Sequence, residues 1–177
     1  LDDDPIDLAV ASTDVTILRH AVPTAGQLVI FADDTQFSLK SLEGPLTPNT
    51  ADITNLSNYT YGSTAEATAI GNKVLFSNQA GGYRQVYSSK VTDRGSQITE
   101  AAPMTLHLPS YIDSSLERIV GHDVLGATFF QTDDDRKTLT VLSSVSRGQD
   151  DLQNAFHTWT FRDDIVSTHI VNNDLYI

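Results

Sequence analysis

The 177-residue chain has no cysteine, one methionine, one tryptophan, and only 11 lysines and arginines against 23 aspartates and glutamates. Without cysteine there can be no disulfide and no thiolate metal centre, and the composition is compatible with a reducing compartment. The shortage of base, a net charge of −12, argues against nucleic-acid binding by phosphate neutralisation, which needs a basic surface. No apolar run approaches the roughly 18 residues of a membrane span, and the opening LDDDPID has neither the basic nor the apolar region of a signal peptide. A soluble chain without a membrane partner is expected. It begins at Leu1 and its sole methionine is Met104, which suggests a piece of a longer polypeptide or a processed one.

Catalytic signatures are missing as well. There is no G-x-S-x-G, no H-E-x-x-H, and no G-K-[ST] after the glycines at 81 and 82. His20, His107, His122, His157 and His169 are scattered, so neither a metal nor a cofactor is expected. Asp2, Asp3 and Asp4 lack the glycine and distal glutamate of a calcium loop and read as a solvated acidic run. Carboxylates are the one abundant catalytic material. Glu66, Glu100, Glu117 and Asp123 could each be nominated for glycoside hydrolysis, but no spacing selects a pair. Most aspartates fall in turns, where their side chains bond the local backbone.

What the chain does contain is a recurring meander. Leu28, Val29, Ile30 and Phe31 form an unbroken apolar run after Pro23 and Gly26, the pattern of a strand buried on both faces. Asp33 and Asp34 make a turn, and Gln36 to Lys40 then alternates as a strand with one wet face. The pattern returns at Lys73 to Phe76, turning at Gly81 and Gly82 into Tyr83 to Lys90. It returns again at Val124 to Phe130, turning at Asp133, Asp134 and Asp135 into Thr138 to Ser146. A last copy runs from Ile165 to Val171 and turns at Asn172 to Asp174. The aromatics Phe31, Phe76, Phe130 and Tyr176 recur every roughly 45 to 55 residues, close to the length of a four-stranded propeller blade.

The expected fold is therefore all-β and antiparallel, part of a β-propeller built from meander blades. Residues 1–177 form a single propeller-type region, with blades at 15–63, 64–108 and 109–162 and an incomplete one at 163–177. Three blades and a fraction do not close, which points to a fragment of a larger propeller. An ordinary meander with accidental spacing is the alternative. Phe31, Phe76 and Phe130 are expected in the core on equivalent strands, with Trp159 packing between blades. Val15 to Val22 reads as a strand, and 110–115 as the one short helical turn.

Several ordered stretches carry a resemblance. AVPTAGQLVIFADDTQFSL (Ala21 to Leu39), GPLTPNTADI followed by Tyr59, GNKVLFSNQAGGYRQVY (Gly71 to Tyr87), LHLPSYI (Leu106 to Ile112) and NAFHTWTF (Asn154 to Phe161) resemble the tail tubular protein B, or nozzle, family of short-tailed bacteriophages. The likeness covers most of residues 4–177 and lies in the order of the motifs. Where that family tends to carry a Gly-Tyr-Ser-Gly-like loop and an Arg-Glu-Tyr-like strand, this chain has Gly82-Tyr83-Arg84 and Gln85-Val86-Tyr87.

The resemblance implies a structural protein of the virion tail, made in the host bacterial cytoplasm. It also implies a sixfold homo-oligomeric ring below the gatekeeper ring, tail fibres docking nearby, and DNA passing through the centre without specific binding. Because blade turns lie at the ends of a propeller, Asp33, Asp34, Asp133, Asp134 and Asp135 are the candidate channel or interface positions. Two other readings stand beside this one. They are a carbohydrate-active tail module that hydrolyses host polysaccharide, and a propeller that binds a protein partner through its loops.

Overall fold

Fifteen strands and no helix make up the residues described by the computed structural model, namely 16–24, 26–92, 97–98, 101–147 and 150–177. All pairings are antiparallel. The first sheet joins β1 (Leu18–Thr24), β2 (Gln27–Ala32), β3 (Gln36–Ser41) and β4 (Ala51–Ser57) in chain order. The second joins β5 (Thr68–Ile70), β6 (Lys73–Ala80) and β7 (Tyr83–Thr92), with the short β8 (Gln97–Ile98) and β9 (Ala102–Pro103) both paired to β7. The third joins β10 (Leu116–His122), β11 (Ala127–Thr132), β12 (Thr138–Arg147) and β13 (Asp150–Thr160). A hairpin of β14 (His169–Val171) and β15 (Asp174–Tyr176) follows. Its two-residue turn holds Asn172 and Asn173 at φ 52° and 66°, the left-handed pair that matches strand twist and that asparagine tolerates.

Three hydrophobic clusters lie between successive sheets. Phe31 of β2 meets Phe76 of β6 between the first and second sheets, with Val22, Val29, Val74 and Tyr87 around them. Leu75, one residue earlier on β6, points the other way, toward Phe130, Ile119 and Leu142 of the third sheet. Phe129 in turn points away from that cluster, toward Ile165 and the hairpin's Leu175. Successive side chains on a strand leave on opposite faces, so the second and third sheets bury both. This is why Lys73 to Ser77 and Ala127 to Gln131 are buried at every position.

First strands stand beside first strands: β1 contacts β5, β5 contacts β10, and β10 contacts β14. The closest approach is at Gly121, where a Cβ would lie 3.0 Å from Ile70 Cβ and 3.1 Å from the Ala69 carbonyl oxygen. Only a residue without a side chain lets β10 and β5 come so near. One hydrogen bond fastens this seam and another ties β10 to the hairpin. Gly71 N donates to Asp123 at 2.6 Å, and His122 Nε2 lies 2.8 Å from the Asn173 carbonyl oxygen.

Four expectations need correction. The run Leu28 to Phe31 is not buried on both faces. Leu28 and Ile30 are half-buried, because among the described residues the first sheet packs against a neighbour on one side only. Trp159 is 38% exposed. It sits on β13 opposite Leu139, with its ring 5.2 Å from Phe129, on the face that turns toward the hairpin, and is partly open among the described residues. The strand expected at Val124 to Phe130 begins at Ala127, with Val124 and Leu125 exposed in the turn before it. Residues 110–115 form no helix, since Asp113 accepts from Ser115 N and Leu116 N and so makes a turn into β10. Val15 lies outside the described residues, and the first strand begins at Leu18.

Phe31, Phe76 and Phe130 are each at most 1% exposed. Truncating any one to alanine should cost about 3 to 5 kcal/mol, whereas Trp159→Ala should cost less than about 2 kcal/mol. Urea denaturation midpoints measure both. Neutral phenylalanine substitutions would contradict the inter-sheet packing described here.

Candidate functional site

The sheets have two distinct ends. In each of the first three, the turn from second to third strand lies at the end where the first strand begins, since Leu18 pairs with Ala32 and Leu116 with Thr132. The turns at Asp33 and Asp34, at Ala80 to Gly82, and at Asp133 to Asp135 therefore share one end. The Asp113 bridge to Tyr83 adds a further acid there.

The aspartates divide by role. Asp33 is tied down: its carboxylate accepts from Arg19 Nε at 2.6 Å, and its carbonyl accepts from Tyr61 N at 2.8 Å. Asp34 accepts from the hydroxyls of Thr16 and Thr35, both at 3.2 Å. In the third sheet Asp133 takes Arg136, whose Nε donates at 2.7 Å, and Arg136 also reaches Glu117 at 3.6 Å. Asp133 N and Asp134 N donate to the carbonyl and hydroxyl oxygens of Ser115, each at 3.1 Å. Asp135 accepts from Lys137 N at 3.1 Å.

The two sheets use one device with the charges exchanged. In each, the register of the first strand slips by one residue opposite the turn, at Arg19 in β1 and at Glu117 in β10. A bulge re-aims the extra side chain. Arg19 reaches acidic Asp33 in the first sheet, and Glu117 reaches basic Arg136 in the third. The hydrogen bond from Arg19 holds the Asp33 carboxyl below its ordinary range, and Asp33 raises Arg19 in return. Asp113 is lowered chiefly by the backbone N–H of Ser115.

At this end of the third sheet a cleft of about 480 Å³ is lined by Thr64, Ser115, Glu117, Arg118, Gln131 and Asp133, with Val166. Glu117 and Asp133 are both exposed and both paired with Arg136. Glycoside hydrolysis needs one carboxyl kept protonated by apolar surroundings opposite a second, free one, and an exposed pair sharing an arginine is not that arrangement. Glu66 is exposed, Asp123 bonds Gly71 at the opposite end, and Glu100 and Asp2 to Asp4 lie outside the described residues. Among the described residues no three histidines or carboxylates are grouped to hold a metal.

Sequence reasoning missed the buried polar residues that hold the loops. Gln36, 1% exposed, donates to the Tyr59 carbonyl at 2.7 Å and accepts from the Ser57 hydroxyl at 2.7 Å. Gln131 accepts from Thr168 at 2.9 Å. Arg84, whose guanidinium burial lowers in pKa, joins three segments. Its backbone N donates to the Ile112 carbonyl at 3.0 Å, its Nε to the Ser114 carbonyl at 3.3 Å, and its Nη2 to the Thr64 hydroxyl. A Cβ on Gly62 would lie 2.2 Å from Arg84 Nη1. The one signal in the sequence was local, because Arg84 stands where the chain departs from the family's loop.

The described residues thus form a series of antiparallel meanders whose turns are braced by charge pairs. Residues 1–177 match the bacteriophage nozzle protein family over the whole chain, and the chain belongs to it. It is a structural component of the virion tail. Tail tubular protein gp12 of Escherichia phage T7 is 24% identical over 178 residues, a match that spans 99% of this chain and 22% of the relative. The chain thus spans about a fifth of that relative's length.

The Asp33 pair gives a signed pH dependence. Because the folded carboxyl is depressed, its contribution is present above the unfolded value of about 3.9 and is lost as pH falls through the depressed one. Arg19→Gln should move the Asp33 midpoint up, followed by its carboxyl carbon chemical shift. An unmoved midpoint would rule out the pair as its cause.

Proposed function

We propose that the four sheets are consecutive blades, the last incomplete, of a β-propeller within the tail nozzle through which DNA leaves the virion. Support comes above all from the seam of first strands, because β1, β5, β10 and β14 contact one another in sequence while aromatic side chains fill the space outside them. That is the radial arrangement of blades about an axis. The strand groups also fall within 15–63, 64–108, 109–162 and 163–177.

The full-length protein forms a ring of identical copies, adjoining the gatekeeper ring on one side and giving purchase to tail fibres. Its role in ejection is mechanical and electrostatic. Rigid sheets hold the ring open, and a chain at −12 offers DNA phosphates no attractive surface on which to stall. The exposed aspartates Asp34, Asp134 and Asp135 face the DNA path or a neighbouring copy. Asp33 and Asp133 brace the turns that present them.

The test is a virion carrying Asp133→Asn, Asp134→Asn and Asp135→Asn. Exposed turn charges contribute little to stability, so the tail should assemble and the particle adsorb normally. DNA ejection, followed by the fluorescence of a DNA-binding dye, should slow. An unchanged ejection rate would remove these turns from the mechanism. Release of saccharide by the parent particle, abolished in the variant, would replace this reading with an enzymatic one.

A further inference from the structure

His122, at the end of β10, is 3% exposed, while the other four histidines are half-buried or exposed. Both of its ring nitrogens are occupied. Nε2 lies 2.8 Å from the Asn173 carbonyl oxygen in the β14–β15 turn, and Nδ1 lies 3.4 Å from the Leu125 backbone N in the β10–β11 turn. A carbonyl only accepts and an amide N–H only donates, so the ring is neutral with its proton on Nε2. One imidazole thereby ties the hairpin to the third sheet.

A second proton has no place there. On Nδ1 it would point at the Leu125 N–H, and His122 pairs with Ala127 of an apolar cluster, where a charge is costly to bury. Among the described residues no carboxylate bonds the ring. Asp123, next in the turn, holds the Gly71 N–H at 2.6 Å, and Lys73 lines the cleft beside it. On the hairpin, His169, Asp174 and Tyr176 are exposed, and His169 Nε2 lies 2.6 Å from the Ser167 hydroxyl. Neither β11 nor β5 carries a titratable side chain.

We propose that His122 is an acid-sensitive clasp: protonation of Nδ1 turns the ring out to water and frees the β14–β15 hairpin from the third sheet. Because the proton binds only the open form, the clasp is closed above the range of a free imidazole, about pH 6.5, and loosens as pH falls below it. His20 provides the contrast. Its Nε2 donates to the Ala67 carbonyl at 3.2 Å just before β5, a bond that a protonated ring keeps. Acid therefore loosens one end of the row of first strands and leaves the packing of Phe31 on Phe76 in place. The clasp depends on neither the propeller nor the ring.

Amide hydrogen exchange of the full-length protein, read on peptides by mass spectrometry and corrected for its intrinsic pH dependence, tests the clasp. Between about pH 7.5 and about pH 5.5, protection of residues 169–176 should fall about tenfold, the most that one proton allows per pH unit below the free-imidazole range, while that of residues 27–41 should not change. His122→Gln supplies an amide donor and a carbonyl acceptor that do not titrate, and should keep the hairpin protected at both pH values. His20→Gln should leave the parent's loss as it is. A further measurement needs no variant. Exchange of the imidazole C2 hydrogen follows the protonation of each histidine, and the His122 midpoint should coincide with the loss of hairpin protection. Equal protection at both pH values, a loss that survives His122→Gln, or a His122 midpoint apart from the hairpin's loss would overturn the proposal.

Discussion

Packing of aromatic rings across the gap between sheets is the constraint on which the rest of the structure depends. Phe31 lies 5.1 Å from Phe76 and 4.9 Å from Tyr61, Phe76 lies 5.4 Å from Tyr87, and Tyr87 lies 4.2 Å from Tyr59. Tilted and stacked pairs at such spacings add about 0.5 to 1.5 kcal/mol each beyond the area they bury. Large rings on the second strands hold the sheets apart there. The first strands carry small residues, Gly121 and Ala69 among them, and close together. Once the sheets are fixed by that taper, all the second-to-third-strand turns must emerge at one end and all the first-to-second-strand turns at the other.

Bracing of the turns follows from this division. A turn of two or three aspartates repels itself, and the bulges at Arg19 and Glu117 each bring a side chain to an oppositely charged partner beside it. These pairs are exposed and add little to global stability. They fix the direction in which Asp34, Asp134 and Asp135 point, which suits the role proposed above for these turns. Loops between the sheets are held differently, by hydrogen bonds of Gln36, Gln131 and the Arg84 guanidinium with uncharged partners, where burial makes an unmet polar group costly.

Much of the architecture was legible because burial on two faces leaves a mark in sequence. Lys73 to Phe76 and Val124 to Phe130 read as strands enclosed on both sides; the first run is, and of the second Ala127 to Phe130 is, while Val124 and Leu125 lie exposed in the turn before it. Leu28 to Phe31 looks the same and is not, because an apolar run records what a strand could bury and not how many sheets flank it. Trp159 is partly exposed for a related reason: an aromatic on an edge strand records surface available for burial and not whether a neighbour covers it. The aspartate turns were visible as turns, while the exchange of charges between Arg19–Asp33 and Glu117–Arg136 was not, since it depends on one-residue slips in register. Nothing in the spacing of Gly62 and Arg84 announces that one must lack a side chain for the other to fit.

A density map of the assembled tail at side-chain resolution tests the radial arrangement of the sheets most directly. The expected map has β1, β5, β10 and β14 side by side about one axis, Gly121 against Ala69, and Phe31 against Phe76 between the first two sheets. Sheets separated by solvent, or joined through their outer strands β4 and β13 instead of their first strands, would contradict it.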